Sequence, residues 1–367
     1  MQKKKKIIVV VGTRPDAIKM CPLIEELRAR DDLDARVCAT GQHRELLSSA
    51  LESFGIAPDH ELRVMTDGQG LFEVTDKILM GFGELLEKET PDYVMVHGDT
   101  ASAFAAALAA FYKRIPVCHV EAGLRTYDMS SPFPEEFYRR AIGLMAAYHF
   151  APTETAGRNL LSEGIDERCV MVTGNTVVDS LRMTENMGGE SSLLEFANEG
   201  RMILLTAHRR ENQGKAMRHI FSAVLRILDE FPDVRVIYPV HPSPTVREVA
   251  AEIFSGHPRV MLCEPLKVVD FHRLLSRCYL ALTDSGGVQE EAVSLGRPVL
   301  VIRNTTERQE GIFSGGIRLV GTGEGSVYRG IRTLLTDPSL YYAMTRASSP
   351  FGSGGASKRI ADAVESF

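Results

Sequence analysis

Short, unbroken runs of Val, Ile and Leu recur along the chain, each followed by a segment of helical periodicity. This alternation constrains the fold more than any other feature. In the first half the runs are Ile7–Val11, Ala35–Ala39, Asp92–Val96, Pro116–Val120, His149–Ala151 and Val170–Val172. In the second half they are Met202–Thr206, Val234–Tyr238, Arg259–Leu262, Leu280–Thr283, Pro298–Ile302 and Arg318–Val320. Helical segments such as Lys19–Arg30, Leu71–Glu89, Met217–Phe231 and Val288–Leu295 lie between them. Strands apolar on both faces need cover on both faces, as in parallel sheets flanked by helices. Two series of about six strands predict an α/β chain with two doubly wound, Rossmann-like units. A length of 367 residues agrees, at about 150 residues per domain.

The turn-rich stretch Thr184 to Gly200, which contains Met187-Gly188-Gly189-Glu190-Ser191-Ser192, marks the expected junction. The expectation is a first domain over residues 1–175, a second over 176–355, and a closing helix over 356–367. That helix follows the Gly/Ser-rich segment Pro350–Gly355 and could pack on either domain, including back on the first. No short-period repeat or low-complexity tract interrupts the pattern.

Composition excludes several classes. Hydrophobic residues at 44% and charged residues at 25% supply enough apolar surface for two cores and argue against disorder. The net charge of −6 disfavours general nucleic-acid binding, so an anionic ligand would need a local basic pocket. The cysteines Cys21, Cys38, Cys118, Cys169, Cys263 and Cys278 form no C-x-x-C pair, so buried thiols of a cytoplasmic protein are expected. The run Ile7–Val11 is too short for a signal-peptide core, and Ala101–Tyr112 falls short of the roughly 20 residues of a membrane span.

Ligands of doubly wound folds bind at the carboxyl ends of strands, so the loops after the apolar runs carry the functional signal. Gly12-Thr13-Arg14-Pro15-Asp16-Ala17-Ile18-Lys19 follows the first run. It would place Arg14 and Lys19 beside a helix N-terminus that favours an anion, or as two solvated cations on a turn. It is not G-x-G-x-x-G, so the dinucleotide fingerprint is missing at its usual place. His97-Gly98-Asp99-Thr100 offers Asp99 as a reacting carboxylate or as a helix cap. In His119-Val120-Glu121-Ala122-Gly123-Leu124-Arg125, Glu121 ends an apolar strand and needs a function or a partner, Arg125 being one option. Pro134-Glu135-Glu136 adds a carboxylate in a helix's first turn. Clustered carboxylates can have their proton affinities pushed apart, giving an acid and a base in one site. With no H-E-x-x-H spacing beside them, acid–base work is expected rather than metal binding.

In the second half, His208 in Thr206-Ala207-His208-Arg209-Arg210-Glu211-Asn212 is a candidate phosphate contact or a structural histidine, and His241 in Pro239-Val240-His241-Pro242 is a weaker one. Asp284-Ser285-Gly286-Gly287-Val288-Gln289-Glu290-Glu291 is most informative. Ser285, Gly286 and Gly287 at a helix start would expose backbone N–H groups to a phosphate, and Glu291 would reach ribose hydroxyls about one turn on. Arg303 and Arg308 are expected to add positive charge. Phosphate groups are thus expected on the second domain and carboxylates on the first, with a nucleotide-sugar ligand in a cleft.

These motifs, together with Thr173-Gly174-Asn175-Thr176, His208-Arg209-Arg210-Glu211 and Thr305-Thr306-Glu307-Arg308, occur in one order from Ile7 to about Ile360. As an ordered set they closely resemble the non-hydrolysing UDP-N-acetylglucosamine 2-epimerases of bacteria. The resemblance implies a two-domain GT-B fold, no added cofactor, a homodimer and a UDP-sugar substrate. It implies that Asp99, Glu121 and Glu135 are catalytic carboxylates, joined by His208. It also implies that Arg14, Lys19, His208, Phe271, Ser285, Gly286, Gly287, Glu291 and Arg308 hold UDP or substrate. Some members bind a second UDP-N-acetylglucosamine as an activator, and Gln42, His43 and His241 are the candidates for such a site, although Gly68 stands where an arginine would be sought. The implied reaction is elimination of UDP across the sugar's C1–C2 bond and re-addition after the C2 proton returns on the opposite face. Two other positions depart from the family pattern: Asp16 replaces a glutamate, and Tyr138 replaces an asparagine expected near the sugar. Rival readings are a GT-B glycosyltransferase, an epimerase of a related UDP-amino sugar, a hydrolysing epimerase and a non-catalytic UDP-sugar sensor.

Overall fold

The computed structural model describes residues 4–41, 44–64, 69–185, 187–188 and 192–367, with backbone only for residues 44–46 and 210. Gln42, His43 and Gly68, and positions 186 and 189–191 of the turn-rich stretch, lie outside the described residues.

Thirteen strands are present among the described residues. The first sheet holds β1 (Lys5–Val11), β2 (Leu33–Ala39), β3 (His60–Glu61), β4 (Tyr93–His97), β5 (Val117–Val120), β6 (Tyr148–Ala151) and β7 (Val170–Val172). The second holds β8 (Arg201–Thr206), β9 (Val234–Pro239), β10 (Val260–Cys263), β11 (Leu280–Thr283), β12 (Val299–Val301) and β13 (Ile317–Leu319). Their orders are β3-β2-β1-β4-β5-β6-β7 and β10-β9-β8-β11-β12-β13. Every recorded pairing is parallel. Each order is the doubly wound Rossmann order, with one strand added to the first sheet, and each reverses direction beside its first strand. Those reversals fall between β1 and β4 and between β8 and β11. The short β3 was not expected, because His60-Glu61 is a polar edge pair with no apolar run to announce it.

The helices bury one stripe each. Val74, Ile78, Phe82 and Leu86 recur every fourth residue on the helix Leu71–Glu89 and face the first core. On the helix Lys215–Glu230, Met217, Ile220, Phe221, Val224, Ile227 and Leu228 do the same for the second. The first helix begins at Arg14, five residues before the expected Lys19. Thr13 caps it, Pro15 fits its first turn, and Asp16 completes a reciprocal capping box. No helix among the described residues is long and apolar enough to cross a membrane.

The chain divides into one unit of Met1–Met183 with Phe351–Phe367 and a second of Thr184–Pro350. The first division therefore falls later than residue 175, and the second earlier than residue 355. The helix Val177–Glu185 belongs mainly to the first unit, because Ser180 donates to the Ile18 carbonyl and Asp179 accepts the backbone N–H groups of Gly355 and Ser357. The closing helix Ala356–Ser366 packs on the helix Arg14–Arg28 of that unit. Arg30 pairs there with Asp362 and Glu365, and the Phe367 ring stacks on Tyr148 with centroids 3.6 Å apart.

Candidate active site

In the first unit the loops after β1, β4 and β5 meet at the reversal of strand order. Gly12 permits this approach: a Cβ there would lie 2.2 Å from Ser102 Oγ on the helix that follows β4. Lys19 is not a solvated cation. Its ammonium is buried and donates to Glu121 Oε2, which also accepts from Asn175 Nδ2 at 3.0 Å. Glu121 therefore takes Lys19, not Arg125, as its ionic partner, and Arg125 forms a two-point bridge with Glu163 at 2.8 and 2.7 Å. Glu121 sits at φ +60, a backbone region that non-glycine residues seldom occupy and that clusters at functional sites. Arg14 is half-buried at the first turn of its helix.

Asp99 is not a helix cap. Thr100 takes that position, its hydroxyl accepting from Ala103 N–H at 3.2 Å. The Asp99 carboxylate, a quarter exposed, instead holds the Arg139 guanidinium, whose Nε lies 2.9 Å from Oδ2. Of the two adjacent glutamates, Glu136 is fully buried and structural. It accepts from the backbone N–H groups of Thr126 and Tyr127, each at 3.0 Å, and from Arg139 at 3.0 Å. Glu135 is half-buried at the start of the helix Glu135–Met145. The Tyr138 hydroxyl meets the Thr75 side chain and feels the charge of Glu135. The Tyr138 ring is buried against the apolar core, stacked on Phe104 with centroids 4.9 Å apart.

Sequence reasoning gave no role to His97, Asp16, Asn175 or Arg139. Asp16 accepts from the backbone N–H of Gly12 at 3.3 Å and of Thr13 at 3.1 Å, and faces His97 Nδ1 at 3.3 Å. His119, fully buried, donates Nε2–H to the Gly98 carbonyl at 2.8 Å, and burial pushes its pKa down to about 3. It is thus a neutral brace for the Gly98-Asp99 turn, not an acid or base at neutral pH.

In the second unit the reversal brings the loops after β8 and β11 together around Asp284. This fully buried carboxylate accepts from the backbone N–H groups of His208 and Arg209 at 2.9 and 3.0 Å and from Asn212 Nδ2 at 2.9 Å. Its other oxygen lies 3.2 Å from His208 Nδ1, so the ring is oriented with its far edge toward solvent. His241 is exposed and stacks on His208 with ring centroids 5.6 Å apart. Ser285 stands at the N-cap position of the helix Gly286–Ser294 with no side-chain cap bond, and the helix's first N–H groups, as in any helix, lack intrahelical partners. Glu291 is buried on that helix, with His272 Nε2 3.7 Å away, and Phe271 is half-buried beside it in sequence.

Arg303 and Arg308, expected to add positive charge, carry it inside a cluster of carboxylates. Arg308 binds Glu290 at 2.8 Å and Glu307 at 2.5 Å, and Arg303 binds Glu307 at 3.1 Å and Glu211 at 3.0 Å. Burial alone would raise the Glu307 carboxyl, but Arg308, Arg303 and Arg209 hold it far below the usual range. The Arg308 guanidinium lies where a Cβ on Gly286 would come within 2.9 Å, so the glycine lets it press against the helix start. Arg308 thus reinforces the positive end of that helix from within a balanced cluster.

Two doubly wound parallel units, each with charged loops at its reversal of strand order, define the class: an α/β chain of the GT-B fold. The UDP-N-acetylglucosamine 2-epimerase family model matches residues 25–365. The UDP-N-acetylglucosamine 2-epimerase of Bacillus subtilis is 50% identical over 360 residues, covering 98% of this chain and 95% of its own. Among solved structures, the S. aureus MnaA–UDP co-structure matches with a TM-score of 0.94 at 47% identity, over 99% of this chain and 96% of that one. UDP-GlcNAc 2-epimerase from Neisseria meningitidis, bound to UDP-GlcNAc, matches with a TM-score of 0.94 at 41% identity, over 99% of this chain and 100% of that one. The chain belongs to the UDP-N-acetylglucosamine 2-epimerase family.

Proposed function

We propose that this protein interconverts UDP-N-acetylglucosamine and UDP-N-acetylmannosamine without hydrolysis, by anti elimination of UDP to 2-acetamidoglucal and re-addition. The observation that carries the reading is the carboxylate cluster. Asp99 is relieved of capping by Thr100, and Glu121, at positive φ, has its carboxylate held by Lys19 and Asn175.

The second unit holds UDP. The Ser285–Gly287 helix start, backed by Arg308, receives a phosphate, His208 adds a donor, Glu291 takes ribose hydroxyls, and Phe271 completes the binding set. In the first unit, Arg14 and Lys19 assist the sugar diphosphate while Asp99, Glu121 and Glu135 act on the ring. The C2–H bond is hardly acidic, so C1–O cleavage runs ahead and puts positive charge on the ring. Nearby carboxylates stabilise that charge and carry the proton, a positioned base supplying ~10²–10⁴-fold. Each donor aimed at the departing diphosphate supplies about 10²–10³-fold.

The reading includes a homodimer in the cytoplasm. Phe72, Met80, Phe111, Tyr112, Phe137 and Leu144 are exposed on three neighbouring helices of the first unit, which supports an apolar face covered by a second copy. All six cysteines are free and most are buried, as in a reducing compartment. Turnover in heavy water tests the chemistry. Deuterium is expected at C2 of the product, with traces of 2-acetamidoglucal and UDP released on long incubation. Product carrying only protium at C2 would overturn elimination.

A further inference from the structure

Behind the Glu121 carboxylate, the first unit holds a line of buried groups that the mechanism above does not use. Asp16 Oδ2 is committed to the fold, accepting from the Gly12 and Thr13 N–H groups and, at 3.4 Å, from the Thr100 hydroxyl. Its Oδ1 faces His97 Nδ1 at 3.3 Å. Across the ring, His97 Nε2 lies 3.7 Å from Glu121 Oε2, is buried, and makes no hydrogen bond among the described residues. The His97 ring is 4% exposed, which shuts out bulk solvent as its proton partner.

An ionised carboxylate only accepts, so Nδ1 facing Asp16 carries a proton in either charge state of the ring. Nε2 is then a bare lone pair aimed at an oxygen of Glu121, an arrangement that one shared proton would relieve. Other charged or titratable groups around the line bear on where that proton rests. Lys19, from the same helix as Asp16, favours the ionised form of Glu121, and Asn175 donates to the same oxygen. His119 on β5 stays neutral, and Asp99, two residues beyond His97, shares the Arg139 guanidinium with Glu136.

We propose that His97 is a positioning residue that stores the proton Glu121 takes from the substrate. The proposal rests on the reading of Glu121 as a proton carrier. As the C2–H bond breaks, its electron pair forms the C1–C2 double bond, the C1–O electron pair leaves with UDP, and the proton passes to Glu121. The O–H bond of Glu121 then breaks as an N–H bond forms at His97 Nε2. Glu121 returns to a carboxylate beside Lys19, and the imidazolium stands between Asp16 and Glu121. For epimerisation C2 is reprotonated on the opposite face from another carboxylate of the site, and His97 hands its proton back through Glu121 to solvent once product leaves, so that C2 still takes deuterium from heavy water.

The test compares full-length His97→Gln and Glu121→Gln with the parent. Glutamine keeps a polar amide near Nε2 but cannot carry a proton. For His97→Gln, with UDP affinity and thermal stability retained, we expect KM within about two-fold and kcat lower by ~10–100-fold. The limb of the kcat–pH profile owed to His97 should also be lost. An unchanged kcat and pH profile in folded His97→Gln overturns the proposal, while full turnover by Glu121→Gln overturns the reading of Glu121 instead. If His97→Gln does not fold, nitrogen NMR of the parent decides: a neutral ring protonated at Nδ1 that gains its second proton at Nε2 is expected. A resting ring protonated only at Nε2 overturns the proposal.

Discussion

Lys19 and Glu121 form an ion pair across 102 residues of sequence with side chains only 6% and 8% exposed. A pair so buried is weak evidence for net stability, but removing one partner leaves an uncompensated charge. Lys19→Met should cost about 3–5 kcal/mol in urea unfolding. Adding Glu121→Gln should recover most of that stability without recovering turnover. A double variant that regains activity would show the pair to be purely structural.

Asp99 and Thr100 should separate cleanly. Asp99→Asn should fold, bind UDP, and lose on the order of 10²-fold or more in kcat. Thr100→Ala removes the cap and should cost about 0.5–2 kcal/mol of stability. Thermal melts and steady-state kinetics on the two variants check both expectations.

Glu291→Ala should weaken UDP binding by about 1–3 kcal/mol, because the ribose hydroxyls lose an acceptor in a buried setting. His272 would lose the carboxylate 3.7 Å from its Nε2. Calorimetric titration with UDP reads the change, and unchanged affinity would remove Glu291 from the site.

His119 should make the fold acid-sensitive. Its native pKa is about 3 against an ordinary 6.5, so the unfolded chain binds the proton first as pH falls. Its contribution is complete above pH 6.5 and is lost progressively as pH falls toward 3. Between pH 7 and pH 5 this one residue removes about 2 kcal/mol. His119→Gln, which can still donate to the Gly98 carbonyl, should lose that much less over the same interval in urea unfolding at the two pH values.

Phe72 and Leu144 are 93% and 80% exposed in the single chain. Replacing both by glutamate should leave the thermal melt of the isolated chain cooperative but shift sedimentation from dimer to monomer. A parent protein that sediments as a monomer would refute the dimer outright.

Much of the fold was legible because apolar periodicity is local. Eleven of the twelve unbroken runs overlap strands by several residues, and Arg318–Val320 overlaps β13 by two. The helix Leu71–Glu89 has its expected ends, since its stripe and its flanking Gly70 and Thr90 are all local signals. β3 was missed because two polar residues at a sheet edge carry no such signal. The first helix was placed too late because its start depends on the Thr13–Asp16 capping box rather than on apolar spacing.

The sequence by itself determined the two doubly wound units, the loops that bear the chemistry and the residue types within them. Tertiary structure decided what those residues do. It assigned Lys19 to Glu121, passed the cap from Asp99 to Thr100, committed Glu136 to the Thr126–Tyr127 turn, placed Tyr138 in the core and balanced Arg308 with Glu290 and Glu307. The physical reason is range. Secondary structure follows from neighbours within a few residues, whereas a charge takes its role from partners brought by the order of strands. Here those partners lie as far apart as the 76 residues between His208 and Asp284 or the 102 between Lys19 and Glu121.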